Sequence, residues 1–158
     1  MFKNRLSITL GALALTATQL ASAALPTRPV LTLAAAQQVM QAAQAKAEAE
    51  NWPCVISVVD AAGLPLTLLR MDNAAVPAGV EIAPGKARTA ALFKRPSGAL
   101  EDAINGSRPA AATARGFVLM RGGLPLVADG QIVGAIGVSA DTPQHDEEIA
   151  RAGAAALK

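Results

Sequence analysis

The stretch RGGLPLVADGQIVGAIGVS, residues 121–139, carries the strongest evidence for the fold. Asp129-Gly130 separates two apolar runs, and an Asp-Gly pair favours a two-residue hairpin turn because both positions adopt positive φ. Residues 124–128 and 131–139 are therefore predicted to be paired antiparallel strands. Gly134 and Gly137 fall inside the second run, where a glycine marks a bulge or a close approach by another backbone or a ligand.

The glycines of this stretch do not form a phosphate-binding loop. Such a loop lies between a strand and a helix and continues into Lys-Ser or Lys-Thr, whereas these glycines lie within and between predicted strands. Common catalytic motifs are also missing from the sequence, which has no GxSxG, no CxxC and no HExxH. With one histidine, a His-rich metal site is excluded and a hydrolase with a Ser-His-Asp triad is disfavoured.

Outward from this hairpin, the sequence alternates between helical and strand patterns. Apolar residues recur at helical spacing over 33–50 behind the N-cap Thr32. A second strand pair is predicted over 54–71 and a loop over 72–85. The remaining predicted elements are two short helices at 86–94 and 97–104, a strand at 116–120 and a last helix that begins at Thr142-Pro143. This order predicts an α+β domain, with a central antiparallel sheet of about five strands and helices packed against it.

The first 23 residues have the features of a secretory signal peptide. Lys3 and Arg5 precede an apolar run over 6–15, and Ala21-Ser22-Ala23 offers the small residues that a signal peptidase accepts. The run is shorter than the roughly 20 residues of a membrane-spanning helix. The alternative is a buried N-terminal helix. We expect cleavage near Ala23, a single domain over 24–158, a periplasmic or secreted location and no stable membrane insertion after cleavage.

The charge balance argues against nucleic acid as a partner. The chain has 14 Lys and Arg against 12 Asp and Glu, and loss of Lys3 and Arg5 with the signal peptide leaves 12 of each. Nucleic-acid binding needs a basic surface that neutralises phosphates. The lone cysteine, Cys54, cannot form an internal disulfide, and its apolar surroundings in the sequence favour a buried, inert thiol.

Three segments give the sequence a resemblance to a known family. EIAPGKARTAALFKRPS at 81–97, GGLPLVADGQIVGAIGVS at 122–139 and QHDEEIARAG at 144–153 resemble the GlcG/HbpS family, which includes haem-binding secreted proteins and is similar to the C-terminal domain of PduO-type proteins. The resemblance implies an α+β fold, a homo-oligomer and binding of haem or a related tetrapyrrole, with haem degradation in some members. The sequence departs from the family at Pro84-Gly85, where a continuous helix is more usual.

The resemblance also implies a site on the helix predicted at 86–94. Thr89 matches a threonine implicated in haem contact in some members, and a threonine hydroxyl is a weak iron ligand. Iron in haem is usually held by His, Cys, Met or Tyr. The chain has no Tyr, and its candidates are His145, Cys54, Met40, Met71 and Met120. His145, near the start of the last helix, is a weak metal candidate, and its alternative role is that of a solvent-exposed residue.

Cations cluster on the same predicted helix. Lys86, Arg88, Lys94 and Arg95 surround Leu92 and Phe93 in the sequence. Arg binds a carboxylate through two hydrogen bonds and Lys acts as a point charge, so haem propionates or a small carboxylic acid would fit. The predicted cofactor-binding residues are Thr89, Phe93, Lys86, Arg88 and Arg95. The alternative is a solvated helix face.

Two other functions stay open at the level of sequence. The first is an enzyme that acts on a small organic acid or degrades a tetrapyrrole, with Asp72, Glu81 or His145 as general base. The second is an oligomeric interaction module without catalysis, which the 52% hydrophobic composition allows. No spacing in the sequence links the three candidate bases to one another.

Overall fold

A four-stranded antiparallel sheet forms the centre of the structure, a computed structural model that describes residues 25–157. The predicted signal peptide, residues 1–23, lies outside the described residues. The strands stand in the order β2-β1-β4-β3. Their bounds are Val55–Asp60 for β1, Pro65–Arg70 for β2, Gly123–Ala128 for β3 and Gln131–Ser139 for β4.

Helices cover both faces of this sheet. Helices α1 (Leu33–Ala49) and α4 (Pro143–Ala155) pack against each other and against one face, while α2 (Gly79–Phe93) crosses the other. Helix α3 (Ser97–Asn105) follows α2, and a 3-10 turn (Pro109–Thr113) interrupts the long connection to β3. The α+β class predicted from the sequence is therefore confirmed.

Strand β4 lies in the middle of the core, which explains its almost unbroken apolar sequence. Ile136 and Val138 point into the main core between the sheet and helices α1 and α4, whereas Ala135 lies in a smaller cluster under α2. Both sets are buried. The hairpin turn that leads into β4 is also confirmed, since Asp129 and Gly130 have φ of 49° and 71°.

The backbone of α2 lies directly on two glycines. Gly123 of β3 and Gly137 of β4 are cross-strand partners. A Cβ atom at Gly137 would lie 2.1 Å from the Ala83 carbonyl oxygen, and one at Gly123 would lie 2.3 Å from the Lys86 carbonyl oxygen. The sequence indicated that another backbone or a ligand comes close to Gly137. At this position it is the backbone of α2.

Helix α2 begins seven residues earlier than predicted. Residues 72–85 were expected to form a loop because of Pro77, Gly79, Pro84 and Gly85, but the helix starts at Gly79 and continues through Pro84. Proline removes one helical hydrogen bond. Packing outweighs that loss, because Gly79 and Ala83 are buried against the sheet and a Cβ at Gly79 would be 2.9 Å from Val55 Cγ2.

The prediction of about five strands is wrong, because residues 116–120 do not pair with the sheet. Gly116 has a φ of +80°, and the Val118 N–H donates to the hydroxyl of Thr89 instead of to a neighbouring strand. The segment packs over α2 as irregular chain. Its apolar residues pack against α2. In the sequence, such a segment has the same apolar pattern as a strand.

We expect Gly137→Ala to lower the free energy of unfolding by about 3 kcal/mol, because the added methyl group meets helix backbone that cannot move aside. Gly130→Asn is the matched control, since nothing lies within 4 Å of that position and asparagine tolerates its positive φ. Urea denaturation followed by circular dichroism measures both. Equal stability of the two variants would show that the α2 backbone does not pack closely on Gly137.

Candidate functional site

Lys86 does not lie on the surface where the sequence placed it. Its side chain is 1% exposed and extends to the first turn of α4, where Nζ lies 2.5 Å from Asp146 Oδ2 and donates to the Val138 carbonyl oxygen at 3.0 Å. Gly122 makes room for this pair, because a Cβ there would lie 3.2 Å from Nζ. The four cations predicted to cluster therefore do not share one surface. Lys86 is buried on the sheet-facing side of α2, whereas Arg88, Lys94 and Arg95 are not buried.

The Lys86–Asp146 pair connects the two helical layers. Asp146 is in the first turn of α4, and its second carboxylate oxygen accepts from the backbone N–H of Ala140. Burial raises the pKa of the Asp146 carboxyl, although the Lys86 ammonium group acts in the opposite direction. A buried pair of this kind is strongly destabilising to break.

Thr89 is also buried, and its hydroxyl is fully used. Oγ1 donates to the Gly85 carbonyl oxygen at 2.8 Å and accepts from the Val118 N–H at 3.1 Å. The side chain thereby attaches the segment before β3 to the middle of α2. A ligand that contacted Thr89 would have to displace Val118.

Arg88 and Phe93 meet through an aromatic residue that sequence reasoning missed. The ring of Phe117 lies edge-on to Phe93, with centroids 4.9 Å apart, and the guanidinium of Arg88 lies over Phe117 at 5.1 Å. Arg88 also donates to the Gly116 carbonyl oxygen at 3.0 Å. The arrangement fixes the segment 116–118 over the second half of α2.

Phe93 and Arg95 line a cleft of about 480 Å³ between the end of α2, helix α3 and the connection that follows it. Its apolar lining consists of Phe93, Leu100 and Leu119 together with alanines of residues 103–114. Arg95 and Arg108 supply the charge. The volume of the cleft lies in the range of small-molecule sites, which is roughly 300–1,000 Å³.

The position of α3, which forms one wall of the cleft, is set by a buried serine. Ser97 begins α3, and its hydroxyl accepts from the Gly123 N–H at 2.8 Å and donates to the Met120 carbonyl oxygen. These bonds join α3 to the start of β3. The wall is therefore attached to the rigid sheet.

The cleft lies in a positively charged part of the surface. Within residues 25–157, no ion pair compensates Arg88, Lys94, Arg95, Arg108 or Arg115. The nearby acid Asp102 pairs with Arg121 at 2.7 Å, and Glu101 accepts from the Arg121 backbone N–H. The local acids are engaged elsewhere, so the cleft favours an anionic ligand.

The structure thus brings together some of the predicted site residues and separates others. Phe93 and Arg95 share the cleft, and Arg88 adjoins it through Phe117. Lys86 and Thr89 are buried and do not line it. Arg108 was missed, because it lies in a polar, alanine-rich stretch with no helical or strand periodicity that would indicate which way it points.

The candidate iron ligands and bases lie elsewhere. His145 stacks on Trp52 with ring centroids 3.7 Å apart, and its Nδ1 is 2.7 Å from Asp141 Oδ1. Burial raises the pKa of the Cys54 thiol to about 12, in agreement with the predicted inert thiol. The remaining candidates, none of which lines the cleft, are Met40, Met71, Met120, Asp72 and Glu81.

The described residues offer neither a cluster of metal ligands nor a membrane-spanning helix. No group of three or more His, Cys, Asp or Glu side chains among residues 25–157 could hold a metal ion. None of the helices formed by those residues is long and apolar enough to cross a membrane.

Comparison with known proteins identifies relatives of the whole domain. A model of the family described as haem-degrading protein HbpS-like matches residues 31–155. Protein GlcG of Escherichia coli (strain K12) is 42% identical over 113 residues, which cover 72% of this chain and 84% of GlcG. Crystal structures of a Streptomyces reticuli HbpS double mutant and of a PduOC–haem complex superpose with TM-scores of 0.78 and 0.75. They share 34% and 29% identity, and the alignments cover 94% and 82% of this chain and 99% and 96% of the respective relatives.

We expect Lys86→Met to lower the free energy of unfolding by about 3–5 kcal/mol at pH 7, because it leaves the Asp146 carboxylate buried without its partner. Adding Asp146→Asn should recover most of the loss, since no charge is then buried. The effect of Lys86→Met should shrink as the pH falls towards 3.5. The variant's Asp146 has a raised pKa in the folded state, so its protonated form is compatible with burial and its ionised form is not.

Urea denaturation at pH 7 and at pH 3.5 measures these differences against the wild-type protein. A double variant as unstable as Lys86→Met alone would show that the loss comes from packing of the lysine chain and not from the uncompensated charge.

Proposed function

The chain belongs to the HbpS-like family of haem-degrading proteins, and we propose that it binds haem or a related tetrapyrrole in the cleft lined by Phe93, Arg95 and Arg108. The observation that carries the proposal is the pairing of an apolar surface with two uncompensated arginines in one cleft. The solved complex of the relative PduOC with haem supports the choice of ligand.

The cleft fits the ring and the carboxylates of such a ligand. Phe93, Leu100 and Leu119 would pack against the ring, and burial of apolar surface contributes about 25 cal/mol per Å². Arg95 and Arg108 would each bind a propionate through charge-assisted hydrogen bonds.

The fit to the iron is poorer than the fit to the ring. The residues that line the cleft include no His, Cys, Met or Tyr, the side chains that usually ligate haem iron. Haem, when bound, would supply a redox-active metal. The part played by this chain's own residues is to hold the ring and neutralise its carboxylates.

A base for chemistry on the ligand is not evident in the cleft. Asp72, Glu81 and His145 do not line it, so an enzyme acting on a small organic acid has no support from this geometry. Haem degradation, which the family description names, stays a prediction for this chain. Loss of the Soret band of the haemin complex on addition of ascorbate in air would measure it. A periplasmic or secreted location stays a prediction as well.

Haemin titration tests the proposal. We expect a saturable shift of the Soret band with the purified protein at micromolar haemin, and a dissociation constant about tenfold higher in Arg95→Ala and in Arg108→Ala. A hydrogen bond to a charged group contributes about 1.5–3 kcal/mol, and 1.4 kcal/mol corresponds to a factor of ten.

Arg70→Ala is the matched control for this titration. It removes the same charge from an exposed arginine on β2 that does not line the cleft, and we expect unchanged haemin affinity. A wild-type protein with no saturable Soret shift would refute the proposal. Equal weakening by all three substitutions would attribute binding to overall charge and not to the cleft.

We also infer self-association, as the family resemblance implies. Leu64, Leu68 and Leu92 are 61%, 52% and 38% exposed. Leu68 is the register partner of Ser57, on the α2 face of the sheet, and a Cβ at Gly63 would contact Leu92, so the three leucines border the same side of the molecule. A cluster of exposed apolar side chains is typical of a protein–protein interface, here between copies of this chain.

Light scattering coupled to size-exclusion chromatography measures this assembly. We expect a mass of at least twice the monomer, and a shift towards the monomer in Leu68→Lys. Val127→Lys, at an equally exposed position (51%) on the opposite edge strand, is the control and should not change the mass. A monomeric wild-type protein would contradict the inference.

A further inference from the structure

We infer that the cleft recognises the ring and the carboxylates of a tetrapyrrole and not the metal at its centre, so that metal-free porphyrin dicarboxylates bind as tightly as haem. This inference rests on the proposed function, because it takes the cleft as the site where a tetrapyrrole binds. The inference adds to that function the class of ligand, namely planar, amphipathic molecules with two carboxylates.

The first argument is the set of polar groups in the cleft. They are the guanidinium groups of Arg95 and Arg108 and the hydroxyls of Ser107 and Thr113. A guanidinium stays protonated in proteins and has no lone pair to offer a metal. The Thr113 hydroxyl donates to the Ala110 carbonyl oxygen at 2.8 Å, and its neutral oxygen is a weak ligand compared with the His, Cys, Met or Tyr that usually hold haem iron. None of these groups is a strong ligand for iron.

The second argument is the position of the stronger ligands. Cys54 is fully buried in the main core, and burial holds its thiol protonated. His145 is held between Trp52 and Asp141, on the side where α1 meets α4. Met120 follows the cleft residue Leu119, but its half-exposed side chain does not line the cleft. No strong ligand from residues 25–157 therefore contributes to the cleft.

The third argument is electrostatic. Arg95 and Arg108, which line the cleft, have no ion-pair partner in the described structure. Haem and metal-free protoporphyrin share the same two propionates, so both satisfy these cations equally. The free energy that the cleft supplies is therefore common to both ligands, and the metal adds nothing to it.

Isothermal titration of the purified protein with haemin, protoporphyrin IX and protoporphyrin IX dimethyl ester tests the inference. We expect dissociation constants within threefold for the first two ligands, and binding at least tenfold weaker for the ester, which lacks the carboxylates. Arg108→Ala should weaken haemin and protoporphyrin by the same factor. His145→Ala and Met120→Leu should leave haemin affinity unchanged, because neither side chain lines the cleft.

The outcomes separate the inference from the proposed function. Binding of haemin with protoporphyrin more than tenfold weaker would overturn the inference and leave the proposed function intact, as would loss of haemin binding in His145→Ala or Met120→Leu. An ester that binds as well as the diacid would overturn the role of the carboxylates. Failure of both haemin and protoporphyrin to bind would refute the proposed function itself.

Discussion

The contact between the backbone of α2 and the opposed glycines Gly123 and Gly137 determines where every other part of the site can lie. Side chains at either glycine would overlap helix backbone, so their absence lets α2 lie closer to the sheet than side-chain packing normally allows. Because the helix lies so close to the sheet, only small residues fit on its sheet-facing side. Among them are Ala83, Ala87 and Ala90, which are all fully buried. The close packing also brings the long chain of Lys86 within reach of α4.

The close packing of α2 on the sheet gives its two halves different roles, one structural and one near the cleft. Its first two turns are structural, since they contact the sheet and, through Lys86, the opposite helical layer. Its second half exposes Arg88 and Leu92, and Arg88 and Phe93 contact Phe117 of the connection before β3. The site lies where the helix ends, because Lys94 adopts a left-handed conformation with φ of 55° and turns the chain towards α3.

Local features of the sequence predicted much of the fold. The Asp129-Gly130 turn, helix α1 and the Thr142 cap of α4 depend on nearest neighbours, and the structure contains each of them; the Thr142 hydroxyl accepts from the His145 N–H at 3.2 Å. The early start of α2 and the absence of a strand at 116–120 depend on distant contacts with the sheet and with Thr89. The sequence near Pro84 or Val118 does not contain that information.

The same distinction applies to the site. Phe93 and Arg95 could be predicted as neighbours because the end of a helix places them close together. Helical spacing alone could not show that Lys86 faces the interior, since that requires knowing which side of α2 meets the sheet. Arg108 lines the cleft from a connection of irregular structure, and Phe117 contacts the cleft residue Phe93 from a segment whose sequence resembles a strand. Both positions follow from tertiary contacts alone.

The stacking of Trp52 on His145 has a practical consequence. The chain contains one tryptophan and one histidine, and they touch each other where the end of α1 meets the start of α4. Intrinsic indole emission therefore reports on a single place in the molecule, on the face of the sheet opposite α2. An emission spectrum would follow the docking of those two helices, while the porphyrin absorption of a ligand would follow the other face. The single indole is thus an optical reporter of the scaffold, at a place that does not line the cleft.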